Sequence, residues 1–190
     1  MNLSQVQKST LLGLARATIE NRLDPARRKK DPDSDKDPSG TLTERCGAFV
    51  SVYVDGKLRG CIGTFSEEHP LWENIRSMAL SAATSDDRFT PVGADELDRL
   101  SIEISVLSPR EPVEDYRNII PGKHGIYIVR GANRGTLLPQ VAVQQNWTLE
   151  EFLGNCARYK AGIGWDGWKS AELYTYTATV FSSERCGEGH

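Results

Sequence analysis

Leu3, Val6, Leu11, Leu14 and Ile19 recur at helical spacing through an otherwise polar stretch, which predicts an amphipathic helix over 3–20, weakened slightly by Gly13. Apolar positions then thin out. Residues 21–45, NRLDPARRKKDPDSDKDPSGTLTER, carry three prolines and charges of both signs, and read as a long polar loop outside the core. β-formers return over 49–54, and Asp55-Gly56 is a turn dipeptide because glycine accepts positive φ at little cost. Residues 58–65 are the expected return strand, interrupted by Gly60 and Gly63. Leu71, Ile75, Met78, Ala79 and Ala82 form one face of a helix with Pro70 in its first turn, and 85–91 is a polar turn. Over 101–107, Ile102, Ile104 and Val106 share one strand face while Glu103, Ser105 and Leu107 share the other. The turn GANRG between 125–130 and 136–138 suggests a second hairpin. Thr148 and Glu151 fit a capping box, opening a helix with Leu149, Phe152, Leu153 and Cys156 on one face and a stop near Gly162. Residues 172–181 read as one final strand. With no internal repeat, this order predicts an α+β fold with a mostly antiparallel sheet flanked by helices.

Composition narrows the function classes. A chain of 190 residues is expected to form a single domain over 1–190 and to build a core without a metal or disulfide staple. Its 23 Lys and Arg face 26 Asp and Glu, a net charge of −3, which argues against a main task of neutralising phosphate backbone. The cluster Arg27-Arg28-Lys29-Lys30 reads as a solvated stretch offset by Asp31, Asp33, Asp35 and Asp37, with contact to an acidic partner as the alternative. No run of 18 apolar residues predicts a membrane helix, and MNLSQVQKST lacks the features of a signal peptide, so a cytoplasmic protein is expected. Cys46, Cys61, Cys156 and Cys186 contain no C-x-x-C pair, and His69, His124 and His190 are scattered. Four reduced thiols are expected, with no metal centre and no cofactor. Gly60, Gly63, Gly122 and Gly125 do not make a dinucleotide fingerprint, because the strand–helix context is missing.

One string is distinctive: Leu58-Arg59-Gly60-Cys61-Ile62-Gly63-Thr64-Phe65. It resembles the signature of the AMME chromosomal region protein 1 family, whose bacterial and archaeal members are called AmmeMemoRadiSam system protein A. Further blocks agree: Asp87-Arg88-Phe89 followed by a proline, Glu103 to Leu107, and Gly122-Lys123-His124-Gly125-Ile126. So do Leu138-Pro139-Gln140-Val141-Ala142, Cys156 with Lys160-Ala161-Gly162, Trp168, and Leu173-Tyr174. The resemblance covers roughly 46–181, while the charged insertion at 24–44 departs from the family pattern. It implies two α+β lobes, larger and smaller, with a cleft between them and the signature near it. It also implies a pathway shared with a Memo-like protein and a radical S-adenosylmethionine protein. The chain carries no radical-type cysteine triad, so any iron–sulfur chemistry belongs to a partner.

The candidate chemistry centres on Cys61. Strand alternation puts Arg59, Cys61 and Gly63 on one face, and an arginine beside a thiol favours the thiolate. Cys61 is then a nucleophile or a ligand contact, Arg59 stabilises it or holds a carboxylate or phosphate, and Gly60 and Gly63 allow another backbone or a ligand to approach. The blander reading has Cys61 packed in a tight sheet and Arg59 paired with an acid. Glu103 is a candidate acid or base, or half of an ion pair with Arg59 or Arg88. His124 is a candidate general base, or a turn histidine bonded to backbone. Asp86, Asp87 and Arg88 either bind a polar ligand or form a local salt bridge. The aromatics near the C-terminus, Trp147 to Tyr176, are assigned to core packing over a base-stacking platform. Two functions remain close: an enzyme or enzyme component acting on a small or protein-borne substrate, and a non-catalytic binding module. Single-strand nucleic-acid binding ranks third.

Overall fold

The computed structural model describes residues 2–30 and 39–183. Cys186, His190 and the aspartates at 31, 33, 35 and 37 lie outside the described residues. The chain divides into two compact units, Met1–Leu107 with Thr179–His190, and Ser108–Ala178.

The first unit opens with α1, Gln5–Leu23. Its start is set by a capping box: the Gln7 amide donates to the Ser4 hydroxyl at 3.2 Å while the Ser4 amide donates to Gln7 Oε1 at 2.8 Å. The helix runs three residues beyond the expected end, and the Asp24 amide closes it on the Glu20 carbonyl. The stretch expected to lie outside the core contributes Leu42, which is buried. One side chain at the right spot is enough to anchor a polar segment, and composition cannot show which. Strands β1, Ala48–Val54, and β2, Lys57–Thr64, form the predicted hairpin, with Asp55 and Gly56 both at positive φ. Helix α2, Leu71–Thr84, follows with Pro70 as its N-cap. Strand β3, Leu100–Leu107, pairs antiparallel with β1.

The sheet order is β2-β1-β3 and then a last strand introduced below, so β2 is an edge. Val50, Val52, Ile102 and Ile104 share one face and pack with Leu11, Ala15 and Ile19 of α1 and Leu71, Ile75 and Ala79 of α2. Each fully buried Val, Leu or Ile of this set contributes about 1.5–3 kcal/mol. The opposite face holds the alternate residues Phe49, Ser51 and Tyr53 of β1, all half-buried. Cys61 and Glu103 sit on that face, in register with Ser51.

In the second unit, β4, Glu111–Pro112, β5, Gly125–Arg130, and β6, Asn133–Leu137, join β7, Glu172–Tyr176, in the order β4-β7-β5-β6. These pairings are antiparallel, as expected. Helices α3, Pro139–Gln144, and α4, Leu149–Asn155, cover the apolar side, with Phe152, Leu153, Cys156 and Trp168 packed on Ile126 and Ile128. The Thr148 capping box is present, and α4 runs on into a π-helical turn, Cys156–Lys160. The single strand expected over 172–181 is two strands. It breaks at Thr177, whose amide and carbonyl are both bonded to Ser108, and β8, Ala178–Ser182, joins the first sheet instead. Continuous β-propensity hides such a break because the two partner strands lie far away in sequence.

Candidate functional site

The geometry of β2 follows from its two glycines. A Cβ at Gly60 would lie 1.8 Å from the Ala82 carbonyl oxygen, so α2 rests directly on bare backbone there. A Cβ at Gly63 would lie 2.1 Å from the Phe49 ring, which covers that position. Between them Cys61 stands opposite Ser51, whose hydroxyl donates to Cys61 Sγ at 3.3 Å. Ser51 is in turn opposite Glu103 on β3. Thiol, hydroxyl and carboxylate therefore occupy one row across three strands, and all three are half-buried. Arg59 departs from the simple alternation. The register passes from Val52 opposite Gly60 to Tyr53 opposite Leu58, which leaves Arg59 as the extra residue of a bulge.

As the edge strand, β2 has backbone groups with no strand beyond them, and those of Cys61 are satisfied by a turn. The Cys61 amide donates to Asp86 Oδ2 at 2.8 Å, and Arg88 Nη2 donates to the Cys61 carbonyl at 2.9 Å. Arg88 also grips Asp86 through Nε and Nη2, at 2.8 and 2.7 Å. Asp86 is only 5% exposed. The Arg88 guanidinium above all, then the amides of Cys61 and Arg88, hold its carboxyl well below the usual carboxylate range against the cost of burial. Asp87, beside it, is exposed.

Both arginines are engaged elsewhere than at Glu103. Arg59 pairs through both Nη atoms with the Glu96 carboxylate and donates to the carbonyls of Thr90 and Pro91, at 3.0 and 3.2 Å. Arg59, first, and the Gly93 amide lower the pKa of Glu96. Among the described residues Glu103 forms no ion pair, and it borders a small niche with Tyr53, Ser101 and Ser183. His124 belongs to the second unit. Its Nδ1 accepts from the Ile120 amide at 3.2 Å, and its own amide donates to the Ile120 carbonyl at 2.9 Å. Burial first, then Lys123, pushes its pKa below the ordinary 6.5.

The described cysteines divide in two. Cys46 and Cys156 are buried, and burial pushes their thiols up to about 11 and about 12. Cys61 alone of the three is half-exposed. Inspection of residue types overlooked Ser51 and Glu96, because their roles come from cross-strand register and a long-range pair. The alternation of 49–54 contained the signal for Ser51, which appears once β1 is paired with β2. No group of three His, Cys, Asp or Glu among the described residues is placed to hold a metal ion. No helix among them is long and apolar enough to cross a membrane.

A family model described as AMMECR1 matches residues 12–181, which include every residue of this site. The chain belongs to the AMMECR1 family. A protein of Methanothermobacter thermautotrophicus is 40% identical over 190 residues, covering 96% of this chain and 97% of its own length. One from Thermotoga maritima is 44% identical over 143 residues, covering 74% of this chain and 79% of its own. The crystal structure of the uncharacterized protein PH0010 from Pyrococcus horikoshii superposes with a TM-score of 0.84 at 35% identity, covering 96% of this chain and 94% of that one. The AMMECR1 match thus extends over both units, and across the whole of the charged segment that separates α1 from β1.

Proposed function

We propose that this AMMECR1-family chain is a component of a modification pathway, with Cys61 as its reactive group. The observation that supports this is the contrast among its thiols: Cys61 is half-exposed and bonded by the Ser51 hydroxyl, while Cys46 and Cys156 are sealed in the cores. In this reading the thiol gives its proton to water, the Ser51 hydroxyl donates to the thiolate, and sulfur adds to a carbonyl carbon of the substrate as the C=O π bond opens, its electron pair passing to the oxygen, which takes a proton back from water. Cys61 and Glu103 stand two strand spacings apart, about 10 Å. Glu103 therefore addresses the far part of a substrate lying across β1, as acid, base or hydrogen-bond acceptor. The Memo-like and radical S-adenosylmethionine proteins implied by the sequence resemblance are the proposed partners.

The test is alkylation of the native protein, resolved peptide by peptide. Cys61 is expected to react in the folded chain, and Cys46 and Cys156 only after unfolding. Ser51→Ala is expected to slow the Cys61 reaction several-fold at neutral pH by removing the donor to the thiolate. Cys61→Ser should abolish the pathway product while leaving the melting temperature within a few degrees. A Cys61 that stays protected until the chain unfolds would overturn the reading. One observation favours a second reading, a non-catalytic binding module: Arg59 and Arg88 are both committed to acids of this chain, as scaffold residues are.

A further inference from the structure

Across the row of Cys61, Ser51 and Glu103, the hydroxyl is bonded to the thiol and the carboxylate is left over. Glu103 is half-buried, and its side chain forms neither an ion pair nor a hydrogen bond among the described residues. We propose that Glu103 holds an ammonium group of the substrate, so that the molecule attacked by Cys61 is an amine-bearing carbonyl compound. The inference rests on Cys61 being the reactive group, and it names what the far end of the substrate carries.

Arginines of the flanking segments are engaged elsewhere. Arg59 is paired with Glu96, Arg88 with Asp86, and Arg99 with Asp55. The neighbours of Glu103 on its own sheet face are uncharged: Ser101 and Ser105 on β3, and Phe49, Ser51 and Tyr53 on β1. β8, the strand on the other side of β3, contains no charged residue. A carboxylate partly withdrawn from water without a partner is costly, and a cation brought by a ligand offsets that cost.

Distance and shape set the substrate class. Two strand spacings separate Cys61 from Glu103, about 10 Å. A carbon–sulfur bond at one end and a charge-assisted hydrogen bond of about 2.8 Å at the other leave about 5 Å between the attacked carbon and the nitrogen, roughly four to five bonds of a saturated chain. The niche beside Glu103, bounded by Tyr53, Ser101 and Ser183, is small and suits a compact ammonium better than a planar guanidinium. Ser183 is fixed there: its hydroxyl accepts from the Ile102 amide at 2.9 Å, and its own amide donates to the Ile102 carbonyl at 2.9 Å. Arg185, which follows Ser183 in sequence and lies outside the described residues, is the competing cation.

The experiment compares two alkylating reagents on the full chain, N-(2-aminoethyl)iodoacetamide and its uncharged analogue N-(2-hydroxyethyl)iodoacetamide, with Cys61 followed by peptide mapping. With either one, the sulfur–carbon bond forms as the carbon–iodine bond breaks and iodide leaves. The ammonium of the first sits about five bonds from the attacked carbon. Each rate is divided by that of the same peptide in urea. The ammonium reagent is expected to react about ten-fold faster than the uncharged one in the folded parent, and equally fast in Glu103→Gln. Glu103→Asp should keep part of the preference. Glu68→Gln, which removes the same charge from an exposed position, should change it less than about two-fold, with folding checked by circular dichroism. Arg185→Gln should keep it as well. A reactive Cys61 without preference overturns this inference and leaves the role of Cys61 standing. A preference that survives in Glu103→Gln overturns it in favour of diffuse charge. A preference seen only in Arg185→Gln overturns it in favour of an internal partner for Glu103. A Cys61 that reacts with neither reagent until the chain unfolds overturns both readings.

Discussion

The Cys61 sulfur accepts a hydrogen bond from the Ser51 hydroxyl, yet its position is set by groups that bind its backbone. Asp86 and Arg88 fix the amide and the carbonyl on either side of it. Asp86→Asn keeps the shape and removes the charge that Arg88 grips, so a loss of about 2 kcal/mol is expected, read from chemical denaturation at neutral pH. Because the folded-state pKa of Asp86 is depressed, its contribution is complete above the ordinary 3.8 and is lost as pH falls below that value, and the variant should lack this acid limb. His124 titrates in a separate window. Its folded pKa lies below 6.5, so the unfolded chain takes up the proton first. Its stabilising contribution is complete above about pH 6.5 and is lost as pH falls through that value towards the folded one. The urea midpoint should therefore drop between pH 7 and 5 in the parent and drop less in His124→Gln. Residue type alone made Cys61, Glu103 and Arg88 visible as candidates. It offered a local salt bridge of Arg88 as one of two readings, and it did not show that Arg59 is matched to Glu96, because an arginine near a thiol and an arginine near a distant carboxylate look alike until the chain is folded.

The elements were legible where their signal was local. The Asp55-Gly56 hairpin, the Thr148 capping box and the face of α2 each rest on residues a few positions apart. Whatever depends on distant partners was hidden, including the bulge at Arg59, the burial of Leu42 and the change of sheet at Thr177. The two glycines of β2 show how differently one residue type can act within a single strand. At Gly60 the obstacle is a helix carbonyl, which cannot yield without moving α2, so Gly60→Ala is expected to cost about 3 kcal/mol. At Gly63 the obstacle is the Phe49 ring, which can rotate away, and Gly63→Ala is expected to cost about 1 kcal/mol. Thermal denaturation of the two variants side by side checks the order. A Gly63 variant as unstable as the Gly60 one would show that Phe49 is locked.

Across the whole molecule, the two units each carry a four-stranded sheet with its own core, and the family match runs through both. Net charge pointed away from nucleic acid, and a sum over the chain erases where its charges lie. The first sheet also ends on β2, a strand whose outer side would otherwise invite pairing with another chain. The turn that carries Asp86 and Arg88 occupies that side at Cys61 with a carboxylate for the amide and a guanidinium for the carbonyl. It takes the place of one rung of a neighbouring strand. Solubility and the candidate chemistry therefore depend on the same two side chains, and a chain that loses them should self-associate edge to edge before it unfolds.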